Sequence, residues 1–261
     1  MFLIDYRELA ELLIKAEENQ YAVSCITDKF PDFDLSMGYV VQDELIKMKK
    51  SQGHEIIAFK MGITSEAKMK QMNVDEPIYG TVFDYMLVPD KGEIVMEEFI
   101  HPKIEAEIAF ILAEDIEGPA ITGAEVLAKT KGILPVFEII DSRYENFKFK
   151  LPDVIADNTS ASRVVFGDKV FDPKEFDLEK IRVTLIINGE LKANGTSAAV
   201  LGNPANSVAM LANMLFSHGK GKIPKGSIIL TGGITEAILL TKGDHVISNY
   251  DGMGDISFNV R

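Results

Sequence analysis

The stretch HPKIEAEIAFIL, residues 101–112, sets two carboxylates two positions apart inside an otherwise apolar run. Read as a strand with a period of two, it puts Ile104, Ala106, Ile108, Phe110 and Leu112 on one face. Glu105, Glu107, Ala109 and Ile111 fall on the other. Taking ionised carboxylates out of water without partners costs several kcal/mol. A fold built around this strand must therefore bring a cation to the glutamate face or leave the strand end wet. A second apolar run, ILPVFEIID, carries another acid, Glu138, between Phe137 and Ile139. Together the three carboxylates suit a facial ligand set for Mg²⁺ or Mn²⁺, with positions left for water or a chelating substrate. The alternative is an exposed sheet face whose glutamates point into solvent.

Composition narrows the partners. The 261 residues are 46% hydrophobic, enough for one large domain or a domain with a small helical appendage. Asp and Glu number 40 against 27 Lys and Arg, with no basic run, which argues against a nucleic-acid or anionic-membrane surface. Cys25 is the sole cysteine, so neither an internal disulfide nor a cysteine zinc cluster can form, as suits a reducing cytoplasm. His54, His101, His218 and His245 lack ligand spacing, so a metal site here is oxygen-rich. The N-terminus has no signal-peptide pattern, and no stretch approaches about 18 uninterrupted apolar residues, so a soluble protein without a membrane span is expected.

Leu9, Leu12, Leu13 and Ala16 recur at helical spacing between Asp5 and Glu18, and a second helix is expected over Val41 to Lys50. Residues 1–54 then form a helical segment packed on a main domain of residues 55–261. EIIAFKMGI reads as a strand and TSEAKMKQM as a helix capped by Thr64 or Ser65, with Met69 and Met72 as packing residues. YGTVFDYMLVP follows, then the acidic strand, a helix through GAEVLAKTKG, and the Glu138 strand. Residues 142–162 read as polar and irregular. IRVTLIINGELKANG is a hairpin with Asn188-Gly189 in a type I′ turn. NPANSVAMLANMLFSHG is a helix bounded by Asn203-Pro204 and Gly219. SIILTGG, DHVISNY and DISFNV supply three further strands, and the whole indicates an α+β fold.

Several long motifs in order, FKMGITSEAKMKQMNVDEPIYG, HPKIEAEIAFIL, EIIDSRYENFKFKLPDVIADNTSASR, AAVLGNPANSVAMLANML and GSIILTGGITEAILLTKGDHV, resemble the hydratase and decarboxylase family of catechol meta-cleavage pathways. That family lies within the fumarylacetoacetate hydrolase superfamily. The resemblance implies a fumarylacetoacetase-like mixed β-roll or barrel with surrounding helices, and Glu105, Glu107 and Glu138 as ligands of Mg²⁺ or Mn²⁺. Hydrolase branches usually carry Asp at the third ligand and a lysine after it; here Glu138 stands there and ADN follows, which ranks β-diketone hydrolysis lower. TSEAKMKQM, PIYG, SRYENFKFKLPDVIADN and TGGIT look more like the decarboxylase branch. Hydratases tend to have a tryptophan matching ENFKFK, and this chain has none.

The implied reaction is metal-dependent decarboxylation of 2-oxo-3-hexenedioate to 2-hydroxypenta-2,4-dienoate in the breakdown of aromatic compounds, with hydration of that dienoate as the alternative. A 2-oxo acid chelates through its carboxylate and oxo oxygens, and loss of the distal carboxylate leaves a dienolate conjugated to the oxo group, so no organic cofactor is required. By resemblance Lys60 lines the pocket, to bind a carboxylate or donate a proton; a lysine ending a strand otherwise just reaches water. Ala156 to Ser160 offers backbone donors and the Ser160 hydroxyl, with Asp157 and Asn158 beside it, or is a plain Asx turn. Thr231 and the Gly232 N–H are candidates for the C1 carboxylate, against a simple glycine turn. Arg143 and Arg163 are candidates for the second carboxylate, or they pair with Asp141, Asp153 or Asp157. Tyr79 and Tyr144 close the pocket or belong to the core. The family also implies association with the pathway hydratase, and both monomer and homo-oligomer stay open.

Overall fold

The structure, a computed structural model, describes residues 4–65, 69–70 and 74–261. The N-terminal part contains α1 (Tyr6–Glu18), the single turn α2 (Ile26–Lys29) and α3 (Leu35–Ser51). The Asp5 carboxylate accepts from the N–H groups of Arg7 and Glu8, and Asp34 accepts from Met37, so each long helix begins on a side-chain cap. The Asp34 cap is why α3 starts well before the expected Val41.

The strands are β1 (Ile56–Gly62), β2 (Ile78–Phe83), β3 (Leu87–Val88), β4 (Glu93–Ile94) and β5 (Lys103–Leu112). Helix α4 (Gly123–Ala128), β6 (Thr130–Ile140), α5 (Leu151–Ala156) and β7 (Ala161–Phe166) follow. The remainder is β8 (Arg182–Ile187), β9 (Glu190–Thr196), α6 (Pro204–Ser217), β10 (Ile228–Leu230), β11 (Ile238–Leu239), β12 (His245–Tyr250) and β13 (Gly254–Val260).

The main sheet runs β2-β1-β10-β5-β6-β7-β3, with β11 also paired to β5, and a second sheet runs β4-β13-β12-β8-β9. This is the mixed α+β arrangement read from the sequence. The hairpin turn is as expected, with φ 55° at Asn188 and 80° at Gly189. Helix α5 and the first two residues of strand β7 lie in the stretch expected to be irregular, and both elements are too short to show periodicity. The helix expected over TSEAKMKQM falls partly on residues 66–68 and 71–73, outside the described residues. Among the described residues no helix is long and apolar enough to cross a membrane.

The two faces of the main sheet differ in what covers them. Ile104, Ala106, Ile108 and Phe110 of β5 share one cluster with Phe137 and Ile139 of β6, Leu211 and Leu215 of α6, and Val183 and Phe258 of the second sheet. On the other face Ala58, Val82, Ala109, Val136 and Leu230 pack with Leu9 and Leu13 of α1 and Val41 and Leu45 of α3. The main sheet curls until β2 and β7 approach each other. Its closure is visible at Asn158, whose side-chain oxygen accepts from the Thr81 N–H at 2.9 Å while its amide nitrogen donates to the Thr81 carbonyl at 2.8 Å. One side chain just before β7 thus occupies both backbone groups of Thr81 on edge strand β2.

Gly38 shows how tightly α3 is seated. A Cβ there would lie 2.7 Å from the Pro152 carbonyl oxygen and 3.3 Å from Ile155 in α5. Glycine to alanine inside a helix ordinarily stabilises by about 1 kcal/mol. Gly38→Ala should do the reverse and lower the melting temperature by at least about 2–4 °C, the equivalent of roughly 1 kcal/mol. A calorimetric scan that shows a higher melting temperature would contradict this packing.

Candidate active site

Strands β5 and β6 pair antiparallel with Glu105 directly opposite Glu138, and Glu107 lies two residues further along β5. Like charges facing each other across a ladder destabilise it, and here all three side chains are also buried. Each offers a carboxylate oxygen within 4.8 Å of the others. Lys60 enters from β1, with Nζ 2.9 Å from Glu138 Oε1. It also donates to the Thr159 carbonyl at 2.8 Å. The Gly232 N–H donates to Glu107 Oε2 at 2.7 Å. Glu107 Oε1 and Glu138 Oε2 are buried and receive no hydrogen-bond donor from the described residues.

Among the described residues, Lys60 lies against Glu138 of these three clustered carboxylates. Burial pushes the Glu107 carboxyl well above the usual carboxylate range, and Glu138 and Glu105 push it further. Burial also raises Glu138, while Lys60 pulls it back. An all-oxygen donor set of three clustered, buried carboxylates fits a hard divalent cation. Glu105, Glu107 and Glu138 would hold it.

The loop after β10 is shaped by this cluster. Gly232 has φ +106°, and a Cβ there would sit 2.0 Å from Thr64 Oγ1; a Cβ on Gly233 would sit 2.8 Å from the Glu105 carboxyl carbon. The two glycines let backbone pass where any side chain would collide. Thr231 Oγ1 donates to the Ile108 carbonyl at 2.8 Å, and Ser207 Oγ donates to the Thr231 carbonyl at 2.7 Å. The Thr235 hydroxyl accepts from the Ala106 N–H at 3.2 Å. Thr231 and Gly232, expected to meet a substrate carboxylate, thus spend their proton donors on β5 itself.

Other expected contacts are likewise redirected. Arg143 does not face the cluster: it is enclosed by Asp157, paired Nε to Oδ1, and by the carbonyls of Asp141, Asp157 and Ala161. The Asp157 carboxylate is therefore engaged by Arg143 and not aimed at a reacting atom, and the Ser160 hydroxyl donates to Asp157 Oδ2 at 3.3 Å. Asn158 is committed to Thr81. Arg163 pairs in register with Ile139, which puts it on the sheet face opposite Glu138, where it meets Glu98 at 3.1 Å. Tyr79 pairs with Met61 while Gly80 pairs with Lys60, so its ring also takes the far face. There its hydroxyl lies 2.8 Å from His218 Nδ1, and its ring stacks on Tyr39 at 4.8 Å. Tyr144 is buried, its hydroxyl donating to the Asp153 carbonyl at 3.0 Å. Cys25 donates to the Lys148 carbonyl, and burial raises its thiol to about 11, an unreactive setting. A cleft of about 770 Å³ beside Tyr39, Asp43, His218 and Lys220 includes none of the three glutamates.

Reasoning from side chains missed the Thr159 carbonyl, a backbone group that no residue type announces. It also missed Gly233, Ser207 and Thr235. Of these only Thr235 and Gly233 carried a signal, as part of the TGGIT string already singled out. Asn158, Thr159 and Ser160 take φ values of 48°, 54° and 58°. Non-glycine residues in this left-handed region cost about 1–2 kcal/mol each, so surrounding contacts hold the turn.

Comparisons with known proteins bear on this geometry. A family model described as fumarylacetoacetate (FAA) hydrolase C-terminal matches residues 32–261. The chain is 44% identical over 249 residues to a 4-oxalocrotonate decarboxylase of Pseudomonas sp. (strain CF600), covering 95% of this chain and 94% of that protein. It is 34% identical to a 2-oxo-hept-4-ene-1,7-dioate hydratase of Escherichia coli, with 95% of each chain covered. A solved 4-oxalocrotonate decarboxylase from Pseudomonas putida G7, complexed with magnesium and adipate, superposes with a TM-score of 0.96 at 42% identity, covering 98% of this chain and 97% of that one.

Two predictions arise from the crowded carboxylates. Glu107→Gln removes one repelling charge at constant shape, so the metal-free variant should melt no lower than the wild type, while calorimetric Mg²⁺ affinity should fall at least about tenfold. Retained affinity would remove Glu107 from the ligand set. The second concerns pH. Because the folded Glu107 carboxyl titrates above its unfolded value, its protonated form stabilises the metal-free fold at low pH. That stabilisation is lost as pH rises through the folded value. A divalent cation takes the proton's place, so the rise in melting temperature on adding Mg²⁺ should grow from about pH 5 to about pH 8. A rise independent of pH would contradict it.

Proposed function

Because the chain belongs to the fumarylacetoacetate (FAA) hydrolase C-terminal family, we propose that it is a Mg²⁺-dependent carboxy-lyase acting on 2-oxo-3-hexenedioate. The observation that carries this reading is the buried set of three carboxylates whose ligand oxygens lie within 4.8 Å of one another. The 44% identity to a 4-oxalocrotonate decarboxylase, against 34% to a hydratase, supports the choice of reaction. A cation held by Glu105, Glu107 and Glu138 supplies Lewis-acid stabilisation of negative charge developing on the 2-oxo oxygen, and Mn²⁺ has the same ligand preferences.

In the reaction the C5–C6 bond breaks and CO₂ leaves. The electron pair enters C4–C5, the C3–C4 π pair shifts to C2–C3, and the C2–O π pair moves onto oxygen. A proton then completes 2-hydroxypenta-2,4-dienoate. We assign Lys60 to act on that oxygen. An ammonium has three donors; among the described residues Glu138 and Thr159 take two of them, and the third is the one we assign to the substrate. Its charge favours the developing oxyanion, and its proton is available to it. Apolar residues on the same sheet face, Ala58, Ala109 and Val136 among them, keep the local dielectric low and strengthen both effects.

The test is CO₂ release from 2-oxo-3-hexenedioate by the purified protein with Mg²⁺ and after chelation. Release with Mg²⁺ and none after chelation is the expected outcome. Hydration of 2-hydroxypenta-2,4-dienoate without CO₂ release would assign the hydratase reaction instead. Lys60→Met should lower kcat by about 10²–10⁴-fold while the protein still binds Mg²⁺; a kcat near that of the wild type would remove Lys60 from the chemistry.

A further inference from the structure

Arg143 is buried at the back of the site with every guanidinium nitrogen on an oxygen. Nε meets Asp157 Oδ1, Nη1 reaches the Asp141 carbonyl at 2.8 Å and the Ala161 carbonyl at 3.1 Å, and Nη2 reaches the Asp157 carbonyl at 2.5 Å. Its own N–H also donates to Asp157 Oδ2 at 3.1 Å. Two of these acceptor residues, Asp157 and Ala161, bracket the left-handed turn of Asn158, Thr159 and Ser160 from its two ends. The turn is closed by Ser160 N–H to the Asp157 carbonyl at 2.9 Å, and anchored to β6 by Asp141 N–H to the Ser160 carbonyl at 2.9 Å. On its other side Asn158 grips Thr81 of β2.

Left-handed backbone over three consecutive non-glycine residues does not persist unless contacts over-determine it, and here they come from three directions. What the bracing produces at the site is one group: the Thr159 carbonyl, 2.8 Å from Lys60 Nζ. Lys60 needs such a fixed acceptor, because its four-carbon stem leaves the ammonium free to take several rotamers. The carbonyl and Glu138 together select one.

We propose that Arg143 and Asp157 are positioning residues, whose buried pair locks the turn at Asn158–Ser160 so that the Thr159 carbonyl holds the Lys60 ammonium against Glu138. Neither side chain touches substrate. The consequence for turnover rests on the reading of Lys60 given above, whereas the placement of the ammonium can be observed without substrate.

The experiment combines both. Protein labelled with ¹⁵N at lysine Nζ, without substrate, should show a slowly exchanging ammonium cross-peak for Lys60, assigned by its absence in Lys60→Met. Asp157→Asn should abolish or move that cross-peak and lower kcat on 2-oxo-3-hexenedioate at least about tenfold, with KM and calorimetric Mg²⁺ affinity within about threefold of wild type. In the double variant Lys60→Met with Asp157→Asn, kcat should equal that of Lys60→Met alone, since the pair acts only through Lys60. An unmoved cross-peak, or losses that multiply in the double variant, would overturn the proposal. If Asp157→Asn does not fold, Ser160→Ala removes only the 3.3 Å bond to Asp157 and is read by the same cross-peak and the same cycle, with the same outcomes deciding. A wild type inactive on 2-oxo-3-hexenedioate would remove the proposed reaction, and the cross-peak would still decide the positioning.

Discussion

Burial of three clustered carboxylates at one end of a sheet face is the constraint around which the molecule is arranged. On that face β1, β5 and β6 carry Ala58, Ala109 and Val136 under the N-terminal helices and then, further along the same strands, Lys60, Glu105, Glu107 and Glu138. The apolar end is sealed by α1 and α3, so the charged end faces a low-dielectric wall. Clustered carboxylates there carry a desolvation cost and repel one another. A divalent cation would offset both, and the low dielectric would strengthen each interaction with a bound anion.

The parts around the cluster follow from holding it still. Two glycines after β10 let the chain pass against Glu105 and give Glu107 a backbone donor. Thr231 and Thr235 tie that loop to β5. Across the site, Asn158 and Arg143 hold a turn of high local energy whose carbonyl meets Lys60. Arg143 further lies within the field of Glu17: burial raises the Glu17 carboxyl, but Arg143 and Lys49 outweigh it and hold the group below its ordinary range. Glu17 accepts from the Tyr85 hydroxyl at 2.7 Å and meets Lys49 Nζ at 3.1 Å. A buried ionic network thus runs from α1 and α3 toward the back of the turn. Networks of this kind add little net stability but define one arrangement, because each broken pair leaves a buried charge behind.

Much of this was legible in residue patterns. Period two in residues 103–112 separated the glutamates from Ile104, Ala106 and Ile108, and the structure divides them between the same two faces. The Asn188-Gly189 hairpin and the Asn203 cap of α6 were equally plain, since turn and cap chemistry act over two or three residues. Helix α5 and strand β7 were not visible: six residues give too few periods, and their stability comes from Tyr39, Gln42 and the neighbouring strands rather than from propensity.

The sequence by itself therefore determined the two glutamate-bearing strands, the side Glu105 and Glu107 take and the oxygen-rich character of the site, because alternation along a strand is a local property of the backbone. It did not determine what the arginines, Asp157, Asn158 or Thr231 do. A charged side chain in a loop has several partners in reach until the fold closes. Only the tertiary structure decided that Arg143 grips Asp157, that Arg163 lies across the sheet from Glu138, and that the donors of Gly232 and Thr231 serve β5. Those partners are brought in from 14 to 125 residues away along the chain, and only packing the curled sheet against its helices sets which of them meet.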